Sequence, residues 1–319
     1  MLYAMPIIIG FILDVMFGDP HSLPHPVRLM GQCITKLTDR LRSKEGDDLK
    51  KGRTLVFCML AGSFAASALL VALFYVLFPP IGAVLEGILC YYCLAARSLF
   101  DESMKVYKDL KEGYISEAKG DLSMIVGRDT AELEEDGIVR AAVETVAENT
   151  SDGVTAPLFY MMIGGAPLAF LYKAANTMDS MVGYKTEEYI NYGRAAAKTD
   201  DFLNYIPSRL TALFMCVAAA ILKMDAKSAY RIWKRDGNKH ESPNSAQTEA
   251  ACAGALGVKL GGDASYGGEI HHREFIGDEK NEIHFEDIKE ANKLMYATSG
   301  LFLIAVVIVR GVVYSLIMK

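Results

Sequence analysis

Apolar blocks alternate with charged connectors along this chain. The blocks cover residues 1–17, 55–78, 81–100, 154–172, 203–222 and 295–318. A helix needs about 20 apolar residues to cross a bilayer, so 55–78, 81–100 and 295–318 each reach the length of a span. Pro79 and Pro80 separate the first two, which predicts a helical hairpin closed by a tight turn. Residues 1–17 have neither a basic start nor a small-residue cleavage site, so they read as a short retained membrane segment rather than a signal peptide. The remaining two blocks are interrupted, one by Pro157, Gly164, Gly165 and Pro167, the other by Asn204, Pro207 and Arg209. Such blocks suit re-entrant or broken helices, or plain helices that begin later. The predicted fold class is all-α: one polytopic integral membrane domain over 1–319, with about four to six membrane segments.

Charge adds an orientation. Residues 18–54 carry eight Lys and Arg, whereas the Pro79–Pro80 connection carries none. An excess of cations marks the cytoplasmic side, which places 18–54 there, together with 101–152 and 223–294. The side of 173–202 stays open, because it depends on whether the interrupted blocks cross or re-enter. Arg310 inside the last block must snorkel, face protein or end a shorter span. The composition is 51% hydrophobic with net charge -6, which gives no support to a nucleic-acid partner. Cys90 and Cys93 form a CxxC inside an apolar block with no second pair, so they read as buried thiols.

Candidate chemistry lies in the polar strings that flank the blocks. The fullest is Arg140 to Tyr160, RAAVETVAENTSDGVTAPLFY. Arg140, Glu144 and Glu148 recur every four residues on one helix face, and Asn149, Ser151, Asp152 and Gly153 then break the pattern. An ordinary Arg140–Glu144 ion pair is the bland explanation for part of it. Prolines around Asp19, His25 and Arg28 predict a rigid loop. On a helix, Lys173, Asn176 and Ser180 share a face with Asp179 beside it, and Lys185 follows. Asp200, Asp201, Asn204 and Arg209 head an apolar run, where Asp200 or Ser208 could serve as an N-cap. Ser242 and Pro243 predict a helix start that leaves Asn244, Gln247 and Thr248 on one face. No GxxxxGK string is present, so a P-loop is absent. His271, His272 and His284 lack ligand spacing and read as solvated.

The strings FGDPHSLPHPVRLMG, RAAVETVAENTSDGVTAPLFY, KAANTMDSMVGYK, DDFLNYIPSRLTAL and SPNSAQTEAACAGALGVKLGG resemble the signature blocks of the adenosylcobinamide-phosphate synthase family (CobD/CbiB type). The resemblance runs in order from Phe17 to Gly262. It implies an integral membrane enzyme that joins the free propionate of adenosylcobyric acid to (R)-1-aminopropan-2-ol O-phosphate by an amide bond, with ATP and Mg²⁺. It also implies a cell-membrane location, a cytoplasmic active site, and other late cobalamin-biosynthesis enzymes as partners.

Making an amide from a carboxylate requires activation, and phosphoryl transfer needs carboxylates and cationic clamps. Glu144, Glu148, Asp152 and Asp179 are therefore the expected catalytic carboxylates, with Glu148, Asp152 and Asp179 as the expected Mg²⁺ ligands. Lys173, Lys185 and Arg209 are expected on phosphate, and Arg28 and His25 on phosphate or a corrin amide. Asn149, Asn176, Asn244 and Gln247 would suit the amide-rich rim of a corrinoid. A transporter and a non-catalytic scaffold are the alternatives. No internal inverted repeat is evident, and the charged strings are intact, which favours an enzyme.

Overall fold

A computed structural model describes residues 4–19, 25–184 and 186–317. The chain is a polytopic helical membrane protein, and five of its described helical stretches are long and apolar enough to cross a membrane: Asp48–Leu77, Pro79–Glu112, Glu135–Val182, Arg194–Ile221 and Glu286–Leu316. Residues 5–17 form a shorter apolar helix. The chain forms two compact units rather than one: Met1–Ala95, Ala156–Asn204 and Leu303–Lys319 make the first, Ala96–Thr155 and Tyr205–Phe302 the second.

In the first unit, α1 (Met5–Phe17) lies against α4 (Pro79–Tyr91), and Gly10 makes this possible, because a Cβ there would meet Cys90 Cβ at 2.6 Å. The amphipathic α2 (Pro26–Arg42) is followed by α3 (Asp48–Leu77), whose start is capped by Asp47 accepting from Leu49 N. Pro79 stops α3 and opens α4, where its missing N–H costs nothing. The returning block is not one helix: it ends at Tyr91, and α5 (Ala96–Glu112) begins in the second unit. Cys90 and Cys93 are buried free thiols.

The second unit gathers α5, α6 (Ile115–Ser123), α7 (Glu135–Asn149), α10 (Ala226–Asp236) and α11 (Ser245–Leu256) around a core that includes Leu122, Ile138, Val143, Ile232 and Leu294. It also holds four short strands: β1 (Leu260–Gly261) pairs antiparallel with β4 (Phe275–Ile276), and β2 (Ala264–Tyr266) with β3 (Glu269–His271). Two long polar connectors, 101–152 and 223–294, thus fold largely as one body.

The interruptions behave differently from plain breaks. Asn149–Gly153 does not end α7; Thr150–Thr155 continues as a π-helical turn into α8 (Ala156–Val182). Pro157 has no N–H for the Gly153 carbonyl, and the wider turn absorbs the mismatch. Helix α8 does break at Gly164 and Gly165, the latter at φ 65° and ψ -157°. Glu86 of α4 reaches this break: its Oε1 accepts from Ala166 N at 3.3 Å, and its Oε2 accepts from Tyr75 Oη at 2.8 Å. Helix α9 (Arg194–Ile221) starts earlier than the pattern suggests, so Asp200 and Ser208 sit inside it and are not N-caps. Pro207 deprives the Leu203 carbonyl of its helical donor, and Tyr160 Oη donates to that carbonyl at 2.9 Å. Helix α11 starts two residues later than expected; Ser242 instead accepts from Asn244 N at 3.3 Å. The last helix, α12 (Glu286–Ile317), carries Arg310 in its C-terminal half.

Candidate functional site

In the first unit, Asp19, His25, Arg28, Tyr92 and Lys173 line a cavity of about 310 Å³. His25 caps α2: its Nδ1 accepts from Val27 N at 3.2 Å. The ring proton therefore sits on Nε2, 3.1 Å from Asp19 Oδ1. Tyr92 meets the imidazole edge-on at 5.0 Å. This arrangement holds the loop end so that Arg28 and Lys173, from two separate strings, face one space.

A polar network runs through the same unit. Asn176 Nδ2 donates to Asp200 Oδ1 at 3.4 Å, and Asn204 Nδ2 to Asp200 Oδ2 at 3.0 Å. Tyr172 Oη donates to Asn204 Oδ1 at 2.9 Å, and its ring stacks on Tyr160 at 5.1 Å. Asp179 is half-buried beside Gly183, where an added Cβ would meet Asp179 Oδ1 at 2.0 Å.

The second unit buries a charged cluster around Glu144, whose side chain is 1% exposed. Its Oε2 is paired with Arg128 and lies 3.9 Å from Arg273 Nη1. Its Oε1 accepts from Gly261 N at 2.6 Å. The expected pair with Arg140 does not form: the Arg140 guanidinium lies 5.9 Å from the Phe275 ring centroid, and its Nε is buried without a hydrogen bond. Glu249, 2% exposed, stands 3.7 Å from Arg273 Nη2, and its Oε2 makes no hydrogen bond. Burial, then the charges of Glu144 and Glu148, push the Glu249 carboxyl well above the usual carboxylate range. Burial and the Arg273 charge hold His240 below the usual imidazole value. Glu148 is half-buried and accepts from Ser245 Oγ at 2.6 Å.

Other expected residues spend their polar groups on the protein itself. Asn149 Nδ2 turns back to Thr145 O at 3.0 Å. Arg209 stacks on Tyr205 at 3.6 Å and donates to Tyr205 O, Asn244 Oδ1 and Pro243 O. Gln247 does not present an amide to a ligand: it is 4% exposed, accepts from Trp233 Nε1 at 2.8 Å and donates to Gly237 O at 2.5 Å. Asn244, equally buried, accepts from Ser208 Oγ at 3.2 Å. Asp152 lies half-buried in the π turn. Lys185 lies outside the described residues.

Of the three expected Mg²⁺ ligands, Glu148 and Asp152 lie in the second unit and Asp179 in the first. Among the described residues no group of three or more His, Cys, Asp or Glu side chains is placed to hold a metal.

Sequence spacing missed Arg128, His240, Glu249 and Arg273. Arg273 lies in the polar stretch between β3 and β4, where the sequence shows no spacing that marks a site. The β1–β4 pairing brings that loop back beside Gly261 and so beside Glu144. Glu249 stood within a quoted string, but nothing in its spacing set it apart from its neighbours.

The family model described as CobD/Cbib protein matches residues 7–295. A cobalamin biosynthesis protein CobD of Clostridium perfringens (strain 13 / Type A) is 45% identical over 312 residues, covering 98% of this chain and 99% of that protein. Proteins of the same name from Geobacter metallireducens and Photorhabdus laumondii are 46% and 42% identical, covering 93% and 94% of this chain and 94% and 95% of their own lengths. No solved structure matches.

Proposed function

Because the chain belongs to the CobD/CbiB protein family, we propose that it acts in cobalamin biosynthesis as an adenosylcobinamide-phosphate synthase. The reaction joins the free propionate of adenosylcobyric acid to the amine of aminopropanol phosphate at the cytoplasmic face of the cell membrane. One observation carries the assignment of residues: Arg28 and Lys173 line one cavity, with Asp19 and His25 fixed beside them. Two cations converging on a small space suit the phosphate of the amino alcohol.

Oxide is a poor leaving group, so the carboxylate is activated by ATP. A carboxylate oxygen attacks the terminal phosphorus, ADP leaves, and an acyl phosphate forms. The amine nitrogen then attacks the acyl carbon, inorganic phosphate departs, and the nitrogen gives up a proton to a base. Of the two α7 carboxylates, considered within the second unit alone, Glu148 suits a general base better than Glu144, which is locked between two guanidinium groups. Mg²⁺ enters as the counter-ion of the nucleotide, and no step here is assigned to a metal held by the protein.

Membranes containing the protein, supplied with both substrates, Mg²⁺ and ATP, should yield the amide, detected by mass. A parallel sample without ATP should not. Absence of product with folded, inserted protein would shift the assignment to a scaffold or a transporter.

A further inference from the structure

A second polar cavity, about 480 Å³, lies in the first unit against the start of α9. Tyr184, Asn191, Arg194, Lys198 and Asp201 line it. No string resembling the family blocks contains Asn191, Arg194 or Lys198. The two cations stand one helical turn apart, and neither makes an ion pair with a described residue. Nearby cations are treated differently: Arg42 is paired with Glu188 at 2.5 Å, and Lys51 with Asp48 at 3.0 Å.

The wall of this cavity is firmly built. Glu188 is tied to α2 through Arg42, whose guanidinium also lies 5.1 Å from the Tyr189 ring centroid. Tyr192, 1% exposed, donates to Thr38 Oγ1 at 3.1 Å. Gly52 packs directly on the Tyr192 carbonyl, since a Cβ there would lie 2.0 Å from that oxygen. Gly193 packs as closely on the Val182 carbonyl, at 1.7 Å for the same construction. The turn that carries Asn191 and leads into Arg194 is thus pinned at both ends. Two like charges held on a pinned wall repel each other, and the arrangement is relieved when an anion sits between them.

We propose that this cavity binds a phosphate-bearing anion between Arg194 and Lys198, with Asn191 and Tyr184 as neutral hydrogen-bonding groups. Two cations against the one carboxylate of Asp201 leave the site net positive. Its volume exceeds what a single phosphate needs, so the chemistry fits a nucleotide polyphosphate or the headgroup of an anionic lipid. The choice of ATP as the soluble candidate rests on the synthase assignment. The site itself does not, and it is read by binding rather than by turnover.

The test uses the full chain in nanodiscs of neutral phosphatidylcholine, titrated calorimetrically with ATP and with inorganic tripolyphosphate. A second arm uses native mass spectrometry to count phosphatidylglycerol molecules retained from mixed discs. Arg194→Gln/Lys198→Gln should weaken polyphosphate binding, or cut retained phosphatidylglycerol, at least tenfold. Both side chains are exposed, so the melting temperature should hold. Lys234→Gln/Lys289→Gln, which removes two exposed cations elsewhere, should change neither readout. Loss in the first arm identifies a soluble polyphosphate, and loss in the second alone identifies a lipid headgroup. Unchanged binding in both arms, or an equal loss in the Lys234/Lys289 variant, overturns the proposal. Failure of ATP-dependent turnover with this binding intact would strike the synthase assignment and leave the site standing.

Discussion

Replacing Glu144 by Gln separates the architectural from the chemical carboxylates in α7. The side chain keeps its shape and an acceptor for Gly261 N, but it loses the charge that balances Arg128 and Arg273. Removing one partner of a buried ion pair costs about 3–5 kcal/mol, because the other charge is left uncompensated. Part of that is recovered here. Burial, and after it the Glu144 charge, raise the Glu249 carboxyl, so in the variant Glu249 ionises more readily and partners Arg273. The expected net loss is about 3 kcal/mol, or a fall in melting temperature of roughly 6–12 °C. The only tryptophan of the chain, Trp233, packs in the same unit and donates to Gln247, so its fluorescence follows that unit's melting at a fixed scan rate. Glu148→Gln should cost only about 1 kcal/mol, since its bond to Ser245 can persist as a neutral one, while amide formation is abolished. The division would be refuted by Glu144→Gln melting within about 2 °C of the parent. It would be refuted equally by Glu148→Gln retaining full turnover.

Three further outcomes follow from particular contacts. Gly165→Ala should cost about 2–5 kcal/mol of stability and so lower the melting temperature strongly, because φ 65° is strained for alanine and its Cβ would stand 2.1 Å from Glu86 Oε1; an unchanged melt contradicts this. Glu249 has a raised folded-state pKa, so the stability its proton provides is complete below the unfolded value near 4.3 and is lost as pH climbs towards the raised value. Glu249→Gln should therefore gain on the parent in melting temperature from pH 4.5 to 7.5, and a constant gap across that range would show that Glu249 is already ionised. Met124, 77% exposed in the second unit, replaced by Cys in a chain lacking the exposed Cys33 and Cys58, should be labelled by an impermeant maleimide only in inverted vesicles; labelling in intact cells would reverse the orientation.

Hydropathy revealed the helical membrane architecture because apolar length is a local property, and the proline and glycine interruptions were equally plain. How each interruption is resolved was not legible. Whether Pro157 would end a helix or widen it into a π turn depends on both flanking helices remaining in register. Periodicity placed Arg140 and Glu144 on one face, yet Glu144 is taken by Arg128, from the loop before α7, and by Arg273, far along the chain. Two long-range partners outcompeted an i,i+4 neighbour, as expected where burial strengthens charge pairing and the local pair is worth only tenths of a kcal/mol. Arg28 and Lys173 were both singled out from separate strings, but their convergence required the fold.

The polar residues within and beside the apolar blocks divide by what they satisfy. Tyr160 supplies the donor that Pro207 withholds from Leu203, and Glu86 accepts the amide that the Gly165 break releases at Ala166. Gln247, Asn244 and Arg209 likewise close hydrogen bonds of the chain itself. In a bilayer such repairs are obligatory, since an unmet backbone group costs several kcal/mol there. A side chain engaged in this way cannot turn to a ligand without exposing the group it satisfies. That constraint directs recognition towards the side chains that line cavities, Arg28 and Lys173 in one, Arg194 and Lys198 in the other. Removing the charge of Lys173, Arg194 or Lys198 should alter binding with little effect on folding, whereas the repairing residues should show the reverse.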